Sequence, residues 1–359
     1  MIEESNYSGI DRLTHRIAFS SRAVQLTAAD IENTLFSHRF RHIPVERPIF
    51  VSSVPRAGTT LLLELLTRTS ELGSHTYRDM PFVLAPVLWA ALSGRFRVGS
   101  DPKKRAHGDG MEIDFDSPEA FEEVLWRAFW PKKFKGTTIP LWSEEESSSD
   151  FADSFRAHMQ KVLHVRSAAG VRRSRYVSKN NANIARLGYL RRHFPNCCIV
   201  VPFRSPIDQA TSLLRQHRRF LERHEIDAFS MEYMRDLGHL EFGLLHRPIG
   251  FPGIDAIREQ FPSQGLDYWI GYWRIAFEYL LDQAEHVTFV SYEELCRGDP
   301  SSLASLAEKI ALGPDSFSGE LTARVRAPKE YQVDTGALDA GNLSRALGVY
   351  DRLRVLSVV

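Results

Sequence analysis

The stretch from Pro48 to Ser70 constrains the fold of this chain more than any other. PIFVSSV (48–54) is short and rich in β-branched residues, as a buried strand is. PRAGTT (55–60) follows without a spacer, and LLLELLTRTS then has the apolar density of a helix. Strand, tight loop and helix in that order open a nucleotide-binding α/β unit. Such a turn leaves the helix's first backbone N–H groups unpaired at its positive end, where an anion gains several hydrogen bonds at once. The loop has the parts for this. Gly58 lets the backbone approach a ligand, Thr59 and Thr60 add hydroxyls, and Arg56 brings a permanent charge on a planar fork. The spacing GxxxxGK followed by Ser or Thr is absent, as is a lysine before Thr59. A shorter loop suits a single phosphate plus one more group better than a triphosphate with magnesium.

The second half repeats the α/β rhythm. RYVSK (175–179), NCCIVVPF (196–203) and HVTFVSY (286–292) read as strands, the middle one apolar enough for the centre of a parallel sheet. Residues 182–194, 206–224, 225–246 and 265–285 read as helices, and another follows Asp299-Pro300. Alternation of this kind predicts parallel pairing with right-handed crossovers. The first 45 residues read as a helical extension, 81–93 and 119–130 as helices, and 94–118 as a surface loop. SEEESSSD (143–150) reads as a solvated loop that caps the next helix. The 359 residues fit one large α/β domain spanning 1–359.

Composition narrows the partners. Lys plus Arg and Asp plus Glu both number 45, so no global field exists to grip nucleic acid or an anionic membrane. The beginning MIEESNYSGIDRLTH lacks the basic-then-apolar order of a secretory signal, and no window reaches the apolar length of a membrane span. Cys197, Cys198 and Cys296 form no CxxC spacing and read as small buried hydrophobes. The expectation is a cytoplasmic chain in reducing surroundings, without a transmembrane segment or a metal.

VPRAGTTLLLELL resembles the phosphosulfate-binding loop of the sulfotransferases, in the branch with Arg after the proline that includes protein-tyrosine sulfotransferases and many bacterial enzymes. The resemblance implies a P-loop-like three-layer α/β fold, with a central, mostly parallel sheet flanked by helices and carrying helical insertions. It also implies 3′-phosphoadenosine 5′-phosphosulfate (PAPS) as co-substrate, held at one end by Pro55, Arg56, Ala57, Gly58, Thr59 and Thr60. The family holds the 3′-phosphate with an Arg at a strand end and a Ser eight positions later, which places Arg204 and Ser212 of IVVPFRSPIDQATS in those roles. Lys179 of YVSKNNANIARLGYL occupies a family lysine's place, and VTFVSYEELCRGDP resembles a later family strand and its helix. For the basic C-terminal loop of the family only TARVRAPKEYQ is on offer, with Arg324, Arg326 and Lys329 and no glycine. Acceptor specificity in the family lies in insertions, so 94–170 is the expected acceptor side. The acceptor itself, a hydroxyl or amine on a small molecule or a carbohydrate, stays open, with lipid, natural product and peptide among the candidates.

Sulfuryl transfer resembles phosphoryl transfer, and Arg56 is expected to stabilise charge on the leaving oxygen. The acceptor hydroxyl needs a base. The protein-tyrosine branch has a glutamate after the first helix, where a gap-free count from Arg56 arrives at Tyr77. Asp79, two residues on, is the preferred replacement and His75 the runner-up; Arg78 is a candidate contact for an anionic acceptor. Two rival readings are a P-loop nucleotide kinase, which the missing GK pair disfavours, and a non-catalytic nucleotide-binding relative, which the missing glutamate keeps open.

Overall fold

The computed structural model describes residues 9–93, 103–104, 112–113, 116–143, 145–146, 148–167, 171–317 and 328–359. Its strands in chain order are β1 (Ile49–Val51), β2 (Leu72–Gly73), β3 (Lys103–Lys104), β4 (Glu112–Ile113), β5 (Arg175–Lys179), β6 (Cys198–Phe203) and β7 (Thr288–Ser291). β3 and β4 pair antiparallel as a separate two-stranded sheet. The other five form one sheet in the order β2–β5–β1–β6–β7, and every neighbouring pair is parallel. The helices are α1 (Gly9–Ala18), α2 (Arg22–Phe40), α3 (Thr59–Thr67), α4 (Pro86–Ser93), α5 (Glu123–Phe129), α6 (Ser149–Arg166), α7 (Leu187–His193), α8 (Pro206–Ile226), α9 (Ala228–Leu237), α10 (Ile254–Gln260), α11 (Leu266–Leu281), α12 (Tyr292–Arg297), α13 (Pro300–Lys309) and α14 (Ala340–Leu356).

β1 lies mid-sheet, and its three residues are fully buried because both faces are covered. Its side chains alternate between two cores, as a strand's must. Phe50 joins Tyr176, Val201 and Phe203 in the larger core, where Trp126, Phe155 and Trp273 pack. Ile49 and Val51 join Val177, Val200 and Val290 against Leu62 and Leu66 of α3, Leu306 of α13 and Ile310 just after it. From β1 the chain goes first to the β2–β5 side and only then to β6. The carboxyl end of β1 is thus a topological switch point, where open α/β sheets hold their ligands.

Several helices are shorter than periodicity suggests. The span 225–246 is cut to α9 by Asp227, whose carboxylate caps the Ser230 N–H at 3.1 Å, and by Gly238, which stops the helix in the left-handed region at φ 83°. Ser148, at the end of the acidic run, caps α6 through the Phe151 N–H at 3.2 Å. The edge strand β2 and the helices α10 and α14 go beyond what the pattern predicted. The N-terminal extension packs on the molecule through a buried ion pair, Glu32 with Lys161 of α6 at 3.2 Å, and through Gln25, which donates to the Pro81 carbonyl at 2.8 Å.

Candidate active site

Residues 55–58 turn the chain from the end of β1 into α3. Arg56 has φ 70° and Gly58 φ 89°, so the loop folds back twice through the left-handed region. At Gly58 a side chain has no room: a Cβ would lie 2.3 Å from Cδ2 of Tyr292, the first residue of α12. The turn is held from below by Gln209 of α8. Its buried amide donates to the carbonyls of Val54 and Pro55, each at 3.0 Å. Its Oε1 accepts from the Arg204 N–H at 3.2 Å and from Trp273 Nε1 at 2.9 Å. Gln209 is a site residue that sequence reasoning missed; its signal was a lone amide on the apolar side of a crossover helix.

Arg204 directly follows β6 and Ser212 lies two turns into α8. Arg56 Nε donates to Ser212 Oγ at 3.0 Å. The sequence placed these side chains at opposite ends of one ligand; the structure has them in contact, so the two predicted anion sites form one continuous cationic surface. Arg204 is 5% exposed, and its guanidinium lies 5.0 Å from the ring centre of Tyr292 and 5.7 Å from that of Tyr331. It donates to the Lys329 carbonyl, forms no ion pair among the described residues, and its buried Nε has no hydrogen-bond partner among them. Arg215 and Lys329 stand over the same Tyr331 ring at 4.7 and 5.3 Å. Burial and the neighbouring Cys296 push the Tyr292 hydroxyl up to about 12 against the pull of Arg204 and Arg56, so the ring stays a neutral phenol. Lys179, the buried last residue of β5, sits opposite Val51 in register, beside the loop. Arg324 and Arg326 lie outside the described residues.

His75 and Asp79 are brought together, but inside the protein at 1% and 3% exposure. His75 Nδ1 is 2.8 Å from Asp79 Oδ2, which also accepts the Thr76 N–H at 3.1 Å; Oδ1 pairs with Arg166. His75 Nε2 lies 2.8 Å from His158 Nε2. Burial alone would raise the Asp79 carboxyl; the Arg166 charge and the His75 hydrogen bond more than reverse this and hold it well below the carboxylate range. Asp79 therefore caps the turn at Tyr77–Asp79 and anchors α6. Tyr77 donates to Glu119 Oε2 at 2.5 Å, and Arg78 pairs with Asp116.

A pocket opens beside Pro55 of the loop. Its walls come from the start of α5, the short turn Asn181–Ala185, the segment after α9, and α11. Glu123, Asn180, Asn181, Glu241 and His246 supply polar groups, and Trp269 and Tyr272 the aromatic wall. Neither His75 nor Asp79 lines it. His246 donates from Nδ1 to the Glu241 carbonyl at 2.7 Å and accepts the Tyr268 hydroxyl at Nε2. Burial, aided by His217, lowers it to about 3, so it is a neutral imidazole with a fixed tautomer. The insertion 94–170 thus contributes Ala120, Glu123 and Ile139 to this wall. Among the described residues no group of three or more His, Cys, Asp or Glu is arranged to hold a metal ion, and no helix is long and apolar enough to cross a membrane.

The profile of the sulfotransferase family matches residues 48–244. The chain belongs to the sulfotransferase family. Sulfotransferase STF9 from Mycobacterium avium superposes with a TM-score of 0.51 at 15% identity, covering 99% of this chain and 86% of that one. Sulfotransferase STF1 from Mycobacterium tuberculosis gives a TM-score of 0.49 at 15% identity, with 98% and 87% covered. At such identity the first likeness is one of fold. A sequence search of curated proteins finds no match. The sulfotransferase match takes in the PRAGTT turn, Lys179, Arg204 and Ser212 and stops after α9. Tyr292, Lys329 and Tyr331, which complete the cationic surface, come from beyond it.

Proposed function

We propose that this sulfotransferase takes PAPS as its sulfuryl donor and a small molecule with a free hydroxyl as its acceptor. The observation that carries the reading is the 3.0 Å hydrogen bond from Arg56 to Ser212, which joins the loop after β1 to the helix after β6 around Arg204. A bisphosphate nucleotide needs positive groups for both of its phosphates, and the buried Nε of Arg204, which has no hydrogen-bond partner among the described residues, is a donor suited to one of its oxygens. PAPS supplies a sulfuryl group on a good leaving phosphate. Arg56 and the first N–H groups of α3 stabilise the charge that grows on the leaving oxygen. Lys179 adds a cation beside them. Arg204, Ser212 and Lys329 hold the second phosphate, and the rings of Tyr292 and Tyr331 fix the guanidinium of Arg204 from two sides. The kinase alternative finds no lysine in the loop to cradle a triphosphate.

We place the enzyme in a reducing compartment, the cytoplasm. All three cysteines are free, and burial pushes the Cys197 thiol up to about 12, which suits an inert thiol.

A thermal-shift titration tests the donor assignment. Adenosine 3′,5′-bisphosphate is expected to raise the melting temperature and ATP with magnesium to do so much less. Arg204→Ala is expected to weaken bisphosphate binding by about tenfold to a hundredfold, the range of one lost charge-assisted contact. Preferential stabilisation by ATP would refute the assignment. Radiolabelled sulfate transfer, with Arg56→Ala about a hundredfold slower, tests the chemistry.

A further inference from the structure

Two adjacent glutamates at the start of α5 are both buried, yet their surroundings differ. Glu122 is saturated: it accepts from Trp126 Nε1 at 3.1 Å, Asn183 Nδ2 at 2.8 Å, the Tyr176 hydroxyl at 3.3 Å and Ser178 Oγ. Glu123 is 3% exposed and is held through one oxygen only. Its Oε2 accepts from Asn180 Nδ2 at 2.6 Å and pairs with Arg186, while Oε1 has no hydrogen-bond partner among the described residues. Leaving a buried carboxylate oxygen so is costly, and a group left in that state calls for a reason. The side chain is also confined: a Cβ on Gly238 would lie 2.5 Å from its Cγ.

Glu123 lines the pocket beside Pro55. Asn180, which holds it, follows Lys179 and donates its own N–H to the Val51 carbonyl at 3.0 Å, so the carboxylate is tied to the end of β1 from which the PRAGTT turn springs. The rest of the pocket sets what can enter. Ile139, Leu213, Ile249, Trp269 and Tyr272 make its walls mostly apolar. The second carboxylate there, Glu241, accepts from Asn181 at 3.0 Å, and Arg247, a cation on the same wall, donates to the Phe134 carbonyl. An anionic acceptor would meet two carboxylates. A sugar would press several hydroxyls against apolar walls without partners.

We propose that Glu123 is the proton acceptor of the reaction and that its pocket takes a neutral, largely apolar alcohol or phenol. The assignment rests on the sulfotransferase reading above. The acceptor's hydroxyl oxygen bonds to sulfur as its proton passes to Glu123 Oε1. The sulfur–oxygen bond of the sulfuryl donor breaks, and its electron pair stays on the leaving phosphate oxygen, where Arg56 meets it. Glu123 then releases the proton to solvent. Asn180 and Arg186 are positioning residues that fix the Oε2 side and leave Oε1 for the hydroxyl.

The test uses the full chain with radiolabelled PAPS and 2-naphthol as the neutral acceptor, beside 4-hydroxybenzoate and N-acetylglucosamine. Because Glu123→Gln strands the buried charge of Arg186, the double variant Glu123→Gln/Arg186→Met is made as well, which removes both charges together. Both variants are expected to bind adenosine 3′,5′-bisphosphate as the wild type does, with KM for PAPS unchanged. Transfer to 2-naphthol is expected to fall about a hundredfold or more in kcat, the usual contribution of a general base, and Glu123→Asp to recover part of it. A double variant that binds bisphosphate and transfers within about threefold of wild type overturns the role of Glu123. A wild type that prefers 4-hydroxybenzoate or the sugar overturns the acceptor class. A wild type that binds no bisphosphate overturns the sulfotransferase reading itself, and this assignment with it.

Discussion

Gly58 offers the sharpest test of how the loop is built. In Gly58→Ala the new Cβ meets two penalties. The residue sits at φ 89°, where an L side chain costs about 1–2 kcal/mol. The Cβ would also stand 2.3 Å from Cδ2 of Tyr292, more than an ångström inside contact distance. That ring cannot simply swing aside, since the Arg204 guanidinium lies 5.0 Å from its centre. Overpacking of this kind costs about 1–3 kcal/mol, for a total of about 2–5 kcal/mol. At about 2 °C per kcal/mol for a domain of this size, the melting temperature falls by about 4–10 °C. Gly348 is the control. It lies exposed within α14, with nothing within 4 Å of its would-be Cβ, so Gly348→Ala is expected to stabilise by about 0.5–1 kcal/mol. Differential scanning fluorimetry reads both. Displacement of the Tyr292 ring should also weaken bisphosphate binding by about tenfold in an equilibrium titration. A Gly58→Ala protein that melts within about 1 °C of wild type would refute the account of the turn.

Further outcomes follow from other sites. Arg56→Gly should be about 1 kcal/mol more stable than Arg56→Ala in urea unfolding, since glycine relieves the φ of 70°, while both lose transfer activity alike. Asp79→Asn should lower stability by about 2–4 kcal/mol, because it strips the partner from Arg166, yet leave kcat of the folded enzyme within about threefold. A selective loss of kcat would instead return Asp79 to the role of base. Burial depresses His246 to about 3, below its unfolded value near 6.5. The unfolded chain therefore binds the proton first: the stabilisation is complete above pH 6.5 and is lost as pH falls toward 3, by about 2 kcal/mol at pH 5. His246→Gln should flatten that part of the urea-midpoint profile.

The sequence spoke clearly where one local pattern sufficed. β5 has the bounds read for RYVSK, and β6 was found, though it starts two residues later than read, because a central parallel strand needs no alternation. Arg204 and Ser212 were singled out by the family resemblance, which needs only one strand and the helix after it. The contact of Ser212 with Arg56 was not, since it joins side chains 156 residues apart. Glu123 stayed hidden for the same reason. Its neighbours Asn180, Arg186 and Gly238 come from two other segments, and nothing near it in the chain separates it from Glu122. The spacing of His75 and Asp79 suits a base and its orienting partner as well as a capped turn; only burial and Arg166 decide how the structure uses it.

Gln209 touches the PRAGTT turn and the Arg204 amide, and its third partner is Trp273 of α11. One helical turn earlier, Trp269 of that helix forms part of the pocket wall. Whatever fills the pocket therefore leans on the same rod that steadies the nucleotide turn, and the two substrates should feel each other without touching. Bisphosphate affinity measured with and without saturating 2-naphthol would reveal such communication as a shift in Kd, and an identical Kd would show α11 to be a passive strut.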